Sequence, residues 1–285
     1  MKNSLAISLV AIGLICQEVG ASLAVLLFPH LGPLGMVMMR LVFSAIILML
    51  IARPRFGGHT WPAWRSAMVL GAVLAVMNSL FYLALRELPL GVTVTIEVLG
   101  PLVLSVVTAH SKLGWLWAAL ALVGVASLGG GGWDRLTVTG VLCALGAAAS
   151  WAGYILASAR VGREFRGIDG LAFAMVFGAV LSLPLGIWDA GESLLDLRLV
   201  GLGALVAILS STIPYTVELL ALRGLSPSIF GVLMALGPAT AALAGFLLLG
   251  QHMTLLEVIG IALVVIASAG AVWAGRAPTP APAPV

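Results

Sequence analysis

Apolar residues run along almost the whole chain in stretches of about twenty, separated only by short breaks at Pro, Gly and charge clusters. A helix needs roughly 20 apolar residues to cross the hydrocarbon core of a bilayer. Breaks read in this way predict spans over 5–27, 33–52, 65–85, 90–109 and 113–131, then over 137–158, 168–188, 199–222, 226–249 and 254–274. The run Ala84-Leu85-Arg86-Glu87-Leu88, followed by Gly100-Pro101, returns 137 positions later as Ala221-Leu222-Arg223-Gly224-Leu225 followed by Gly237-Pro238. A repeat of five spans has an odd number of crossings, so the second copy sits inverted relative to the first, as in secondary transporters. The expected fold is an all-α integral membrane protein of ten transmembrane helices, arranged as two inverted five-helix repeats around a central cavity. The first repeat covers 1–135 and the second 136–276, and the Pro- and Ala-rich tail 277–285 is expected to be disordered.

The ends of the halves match as well: 120–129 (LALVGVASLG) parallels 261–270 (IALVVIASAG), and Leu70-Gly71-Ala72 parallels Leu202-Gly203-Ala204. Such small apolar residues also recur by chance in membrane chains, so the Arg and Gly-Pro matches at one common shift carry the argument. Composition agrees with a membrane class: 61% of the 285 residues are hydrophobic and 9% charged, with a mean hydropathy of +1.17. The first apolar run exceeds a signal-peptide core and carries Glu18, so it reads as a retained helix. Basic residues form no dense run and predict no nucleic-acid partner. They mark topology: one face receives Lys2, Arg53, Arg55, Arg65, Lys112, Arg160, Arg163, Arg166, Arg223 and Arg276, the other Arg86, Arg135 and Arg198. The positive-inside rule then places both termini in the cytoplasm. Cys16 and Cys143 sit in apolar runs and read as buried thiols.

Four ionisable residues are read within spans, Glu18, Arg40, Glu97 and Glu218, and such groups usually face a bundle interior or a water-filled cavity. Arg40, Glu97 and Glu18 reach similar depths and are expected to meet. Two readings stand for Arg40 and Glu18: a charged site that grips a zwitterion or passes a proton, or a buried ion pair that holds helices together. Glu97 precedes the helix-bending Gly100-Pro101, and Glu218 lies near a span end, where it could snorkel. Helical spacing lines up Asn78 with Tyr82, Ser150 with Tyr154 and Ser158, and Ser211 with Tyr215 and Glu218. A tyrosine, apolar in body and polar at its tip, suits a cavity wall, and it equally suits interhelical hydrogen bonding. Pro101, Pro214 and Pro238 free backbone carbonyls in mid-span, and the matched pair Gly100-Pro101 and Gly237-Pro238 points to the binding region. No HExxH, GxSxG or paired-aspartate motif occurs, and His30, His59, His110 and His252 fall at loops or span ends. No catalytic residue, metal or cofactor is expected, and the chain reads as no enzyme.

The segments GASLAVLLFP (20–29), MNSLFYLALRELPLGVTVTIEVLGPL (77–102), ASWAGYILASARVG (149–162) and AILSSTIPYTVELLALRGL (207–225) resemble the EamA-type branch of the drug/metabolite transporter superfamily. Within it they are most similar to bacterial threonine/homoserine exporters, with aromatic amino acid exporters as near relatives. The resemblance implies an inner-membrane amino acid exporter working by alternating access, with proton coupling as the plausible drive. The alternative is export of other small metabolites or drugs. It also implies cavity-lining roles for Asn78, Tyr82, Glu97, Trp151, Tyr154, Tyr215 and Glu218. Where relatives commonly carry Glu-Pro and Gly-Glu, this chain has Gly237-Pro238 and Gly250-Gln251, which leaves more of the charged work to Glu97.

Overall fold

A computed structural model describes residues 3–109, 112–128, 136–214, 217 and 233–274. The described residues are helical, with no strand among them. In chain order the helices are α1 (Asn3–Ala52), α2 (Trp61–Glu87), α3 (Leu90–Glu97), α4 (Leu99–Ala109), α5 (Lys112–Ser127), α6 (Val138–Glu164), α7 (Asp169–Ala190), α8 (Leu197–Ala207), α9 (Gly237–Leu249) and α10 (Leu255–Ala274). A 3-10 turn, Gly191–Leu195, follows α7, and α8 continues into a π-helical turn, Ile208–Thr212. Six stretches among the described residues are long and apolar enough to cross a membrane, and three shorter apolar helices accompany them.

The expected spans 5–27 and 33–52 form one continuous helical run, α1, interrupted at Gly32 (φ 66°, ψ 163°). The intervening loop expected over 28–32 is therefore helical up to a single-residue break. Pro33 can start a helix because its missing N–H falls among the groups left unpaired at a helix start. The next amides need an acceptor, and it comes from a distant helix. Asp189 Oδ2 accepts from Leu34 N at 2.7 Å and Gly35 N at 3.3 Å, so the end of α7 caps the second arm of α1. Asp189→Ala is expected to lower stability by about 1 kcal/mol, the usual worth of an N-cap, read as a reduced unfolding temperature in detergent.

A second cap of this kind joins α3 to the α9–α10 connection. Pro89 precedes α3 and has no side-chain acceptor, and Gln251 Oε1 accepts from Leu90 N at 3.0 Å. The start of α10 is closed locally. Thr254 and Glu257 form a reciprocal capping box: Glu257 Oε2 accepts from Thr254 N at 2.6 Å, and Thr254 Oγ1 accepts from Glu257 N at 3.3 Å. Glu257 is a buried acid within the tenth expected span, which the sequence reading did not count, and this cap accounts for it.

Helices approach closely where small residues face one another, as lipid-embedded bundles require. A Cβ on Gly71 would meet the backbone of Gly178 and Ala174, which sets α2 against α7. Gly124 and Gly260 bring α5 and α10 together in the same way, each facing the other's carbonyl. The main core cluster lies between α1, α2 and α7 around Leu31, Met36, Leu70, Leu74, Tyr82 and Met175. A smaller one gathers Val98, Leu99, Leu102, Ala121 and Val264, with Trp151 packed against it.

Candidate functional site

A buried polar cluster forms around Arg40, where α8 runs into the π turn. Pro214 has no N–H to give the carbonyl four residues back, that of Ser210. That carbonyl accepts from Arg40 Nη2 at 2.8 Å instead. The π turn over Ile208–Thr212 sits at the same place, with Ile213 N reaching back to Ile208 O. Ser211 Oγ accepts from Arg40 Nε at 2.7 Å. On the other side Tyr82 OH accepts from Arg40 Nη1 at 3.5 Å, and its ring lies 5.7 Å from the guanidinium carbon. Arg40 thus ties the second arm of α1 to α2 and to the π turn.

Glu18, Arg40 and Glu97 lie within electrostatic reach of one another, as their depths predicted. The ion pair between Arg40 and Glu18 is not formed. Among the described residues the ion pairs are Arg86 with Glu87 and Arg160 with Glu164, and the guanidinium turns to Ser210, Ser211 and Tyr82. Glu18 is buried, with Oε2 lacking a donor among the described residues. Its own carbonyl accepts from the Ser22 hydroxyl at 2.9 Å. Glu97 lies deep in the bundle and keeps accessible surface. It is the last residue of α3, and α4 resumes at Leu99. Pro101 explains the position of the break, since its ring collides with the carbonyl four residues back, that of Glu97.

Gly100 lies against the α6 backbone so closely that a Cβ there would strike the Ala148 carbonyl. One turn on, Trp151 packs beside Val98 and Leu99, so the ring and the Glu97 break share one neighbourhood. Tyr154 and Ser150 are half-buried on the same helix, and the Ser150 hydroxyl goes to Gly146 O at 2.8 Å. The second interruption falls at Ala235 and Leu236, ahead of Gly237-Pro238. Val98 and Ala235 are 137 positions apart, the shift of the repeat.

Two expected cavity residues stand elsewhere. Tyr82 has no accessible surface, because Phe28 and Phe81 enclose its ring at centroid distances of 5.6 and 5.9 Å. Its hydroxyl supports Arg40. Asn78 is buried too, and its amide donates to Leu74 O on its own helix at 2.7 Å. Tyr215 and Glu218 lie outside the described residues. Ser210, Ser211 and Ser22 are the polar residues that the sequence reading passed over or gave no part with Arg40. The proline at 214 was the available signal for Ser210.

Buried charges inside apolar helices, beside a helix break and a π turn, suit a membrane transport protein. The chain belongs to the EamA-like transporter family, whose pattern matches residues 138–273. It is 36% identical over 253 residues to the threonine/homoserine exporter RhtA of Escherichia coli (strain K12), covering 88% of this chain and 85% of that protein. The RhtA of Salmonella typhimurium (strain SL1344) is 35% identical over the same length. The uncharacterized transporter YwfM of Bacillus subtilis (strain 168) is 28% identical over 233 residues, 78% of each chain. One crystal structure shares the fold with a TM-score of 0.59 at 23% identity, covering 94% of this chain and 98% of that one.

Proposed function

We propose that this transporter exports neutral amino acids, threonine and homoserine foremost, from the bacterial cytoplasm by alternating access between two inverted five-helix halves. The observation that carries the reading is Glu97. It is an acid deep within a span that keeps accessible surface, stands at a helix break and feels both Arg40 and Glu18. A zwitterion needs both signs of charge close together, and a site of one guanidinium and two carboxylates supplies them. The substrate ammonium meets Glu97, with Trp151 and Tyr154 as the apolar wall, and the substrate carboxylate meets Arg40, serine hydroxyls or backbone amides. The names of the RhtA relatives supply the substrate class.

Helix packing supports the inverted halves. The second expected span meets the seventh, at Met38 with Gly186. The fourth meets the ninth, at Gly91 with Ala242, and the fifth meets the tenth, at Gly124 with Gly260. The third meets the sixth, at Gly146 with Leu80, while the first meets the eighth, at Gly20 with Ser210. A two-fold axis exchanging the halves maps each of the first three pairs onto itself and the last two onto each other. The charge asymmetry of the loops supports cytoplasmic placement of both termini.

Uptake of labelled threonine and phenylalanine into proteoliposomes, with and without an imposed pH gradient, tests the reading. Threonine uptake that follows the gradient is the expected result. Movement of neither amino acid would replace the proposal with the second reading, export of another small metabolite or drug.

A further inference from the structure

The start of α2 and the end of α6 enclose a cleft of about 190 Å³ lined by Pro62, Arg65, Ser66, Val69, Ala157 and Arg160. Its polar end carries two exposed guanidiniums, and its other end is apolar. Val69 is 49% exposed and continues into Met68 on α2, while Leu156 flanks Ala157 on α6, so the apolar end opens onto the lipid-facing surface. Trp61, 70% exposed just before Pro62, is the kind of residue that marks the headgroup plane. Glu164 adjoins the cleft through Arg160, with its Oε1 3.3 Å from Arg160 Nε. This occupies Nε of Arg160, and the same carboxylate reaches Ser66 in the cleft lining. Arg65, Arg160 and Glu164 together leave one net positive charge, and Arg163 and Arg166 add to it at the same helix end.

We propose that this cleft seats an anionic phospholipid, with its phosphodiester between Arg65 and Arg160 and its glycerol and acyl chains along Val69 and Ala157. The charge matches, since a phosphodiester carries one negative charge and guanidiniums bind it by paired hydrogen bonds. The shape matches too, because basic pockets between helices at a membrane face accept headgroups whose tails remain in the bilayer.

Native mass spectrometry of the full chain in detergent tests this, titrating phosphatidylglycerol, phosphatidylcholine and glycerol 3-phosphate. The expected result is one phosphatidylglycerol retained at a concentration roughly fivefold below phosphatidylcholine, the scale set by one net interfacial charge. The preference should vanish in the R65Q/R160Q double variant and in V69W, which fills the cleft without altering charge. It should persist in R53Q/R55Q, which removes equal charge outside the cleft. Preference retained in V69W overturns the proposal even where the arginine variant does not fold. Displacement of the lipid by equimolar glycerol 3-phosphate overturns it also, in favour of a site for a soluble phosphate.

Discussion

Glu97→Gln is expected to abolish pH-driven threonine uptake while leaving a folded protein. The amide has nearly the shape of the carboxylate, so local packing is kept, and among the described residues Glu97 holds no ion pair whose loss would strand a partner. What disappears is the capacity to gain and lose a proton at the break between α3 and α4. Threonine counterflow without a gradient separates two roles. If counterflow survives, Glu97 carries the coupling; if both are lost, it also binds the ammonium. Unchanged gradient-driven uptake would remove Glu97 from the mechanism. The experiment is sharpened by the asymmetry of the halves, since the position 137 residues on from Glu97 is Met234, so no second acid stands at the matching place to compensate.

Gly32→Ala is expected to destabilise the protein strongly, through backbone strain and through loss of a cap. The backbone at φ 66°, ψ 163° lies in a region nearly exclusive to glycine, where a side chain costs about 1–3 kcal/mol. The added methyl would also occupy the place of the Asp189 carboxylate, breaking the cap on Leu34 and Gly35 for about 1 kcal/mol more. The two contributions separate in a double-mutant cycle. In G32A/D189A the collision is relieved and the cap is already gone, so the remaining loss relative to D189A measures the backbone strain. Thermal unfolding in detergent reads it, and a Gly32→Ala protein as stable as the parent would refute the account of the break.

Spans were legible because the bilayer admits so few structures: a long apolar run must be helical there. The interruptions were legible for a similar reason, since Pro101 and Pro238 delete a donor at a fixed distance, and the breaks at Val98 and Ala235 obey that distance. The gathering of Glu18, Arg40 and Glu97 followed from depth alone. What depth could not supply was azimuth. Tyr82 shares a stripe with Asn78 and was expected on a cavity wall, yet Phe28 of another helix covers it. Arg40 was matched to Glu18 by charge, and it chose the Ser210 carbonyl that Pro214 had released. The Thr254-to-Glu257 spacing is a capping pattern readable from sequence, and the sequence reading left it unread. The caps from Asp189 and Gln251 leave no local trace, because their partners are 155 and 161 residues away.

Those two long-range caps bear on how the protein is made. Asp189 and Gln251 follow the helix starts they complete, at Leu34 and Leu90, by 155 and 161 residues. Synthesis proceeds from the N-terminus, so both helix starts emerge from the ribosome well before their acceptors exist. Until then those amides depend on water or headgroups, and neither helix can settle fully into a dry environment. The N-terminal helices are therefore expected to stay incomplete until the later ones arrive and supply acceptors at two defined backbone positions. A chain truncated ahead of Asp189 would keep its earlier apolar spans and lack both acceptors, which makes it a candidate for removal by membrane quality control.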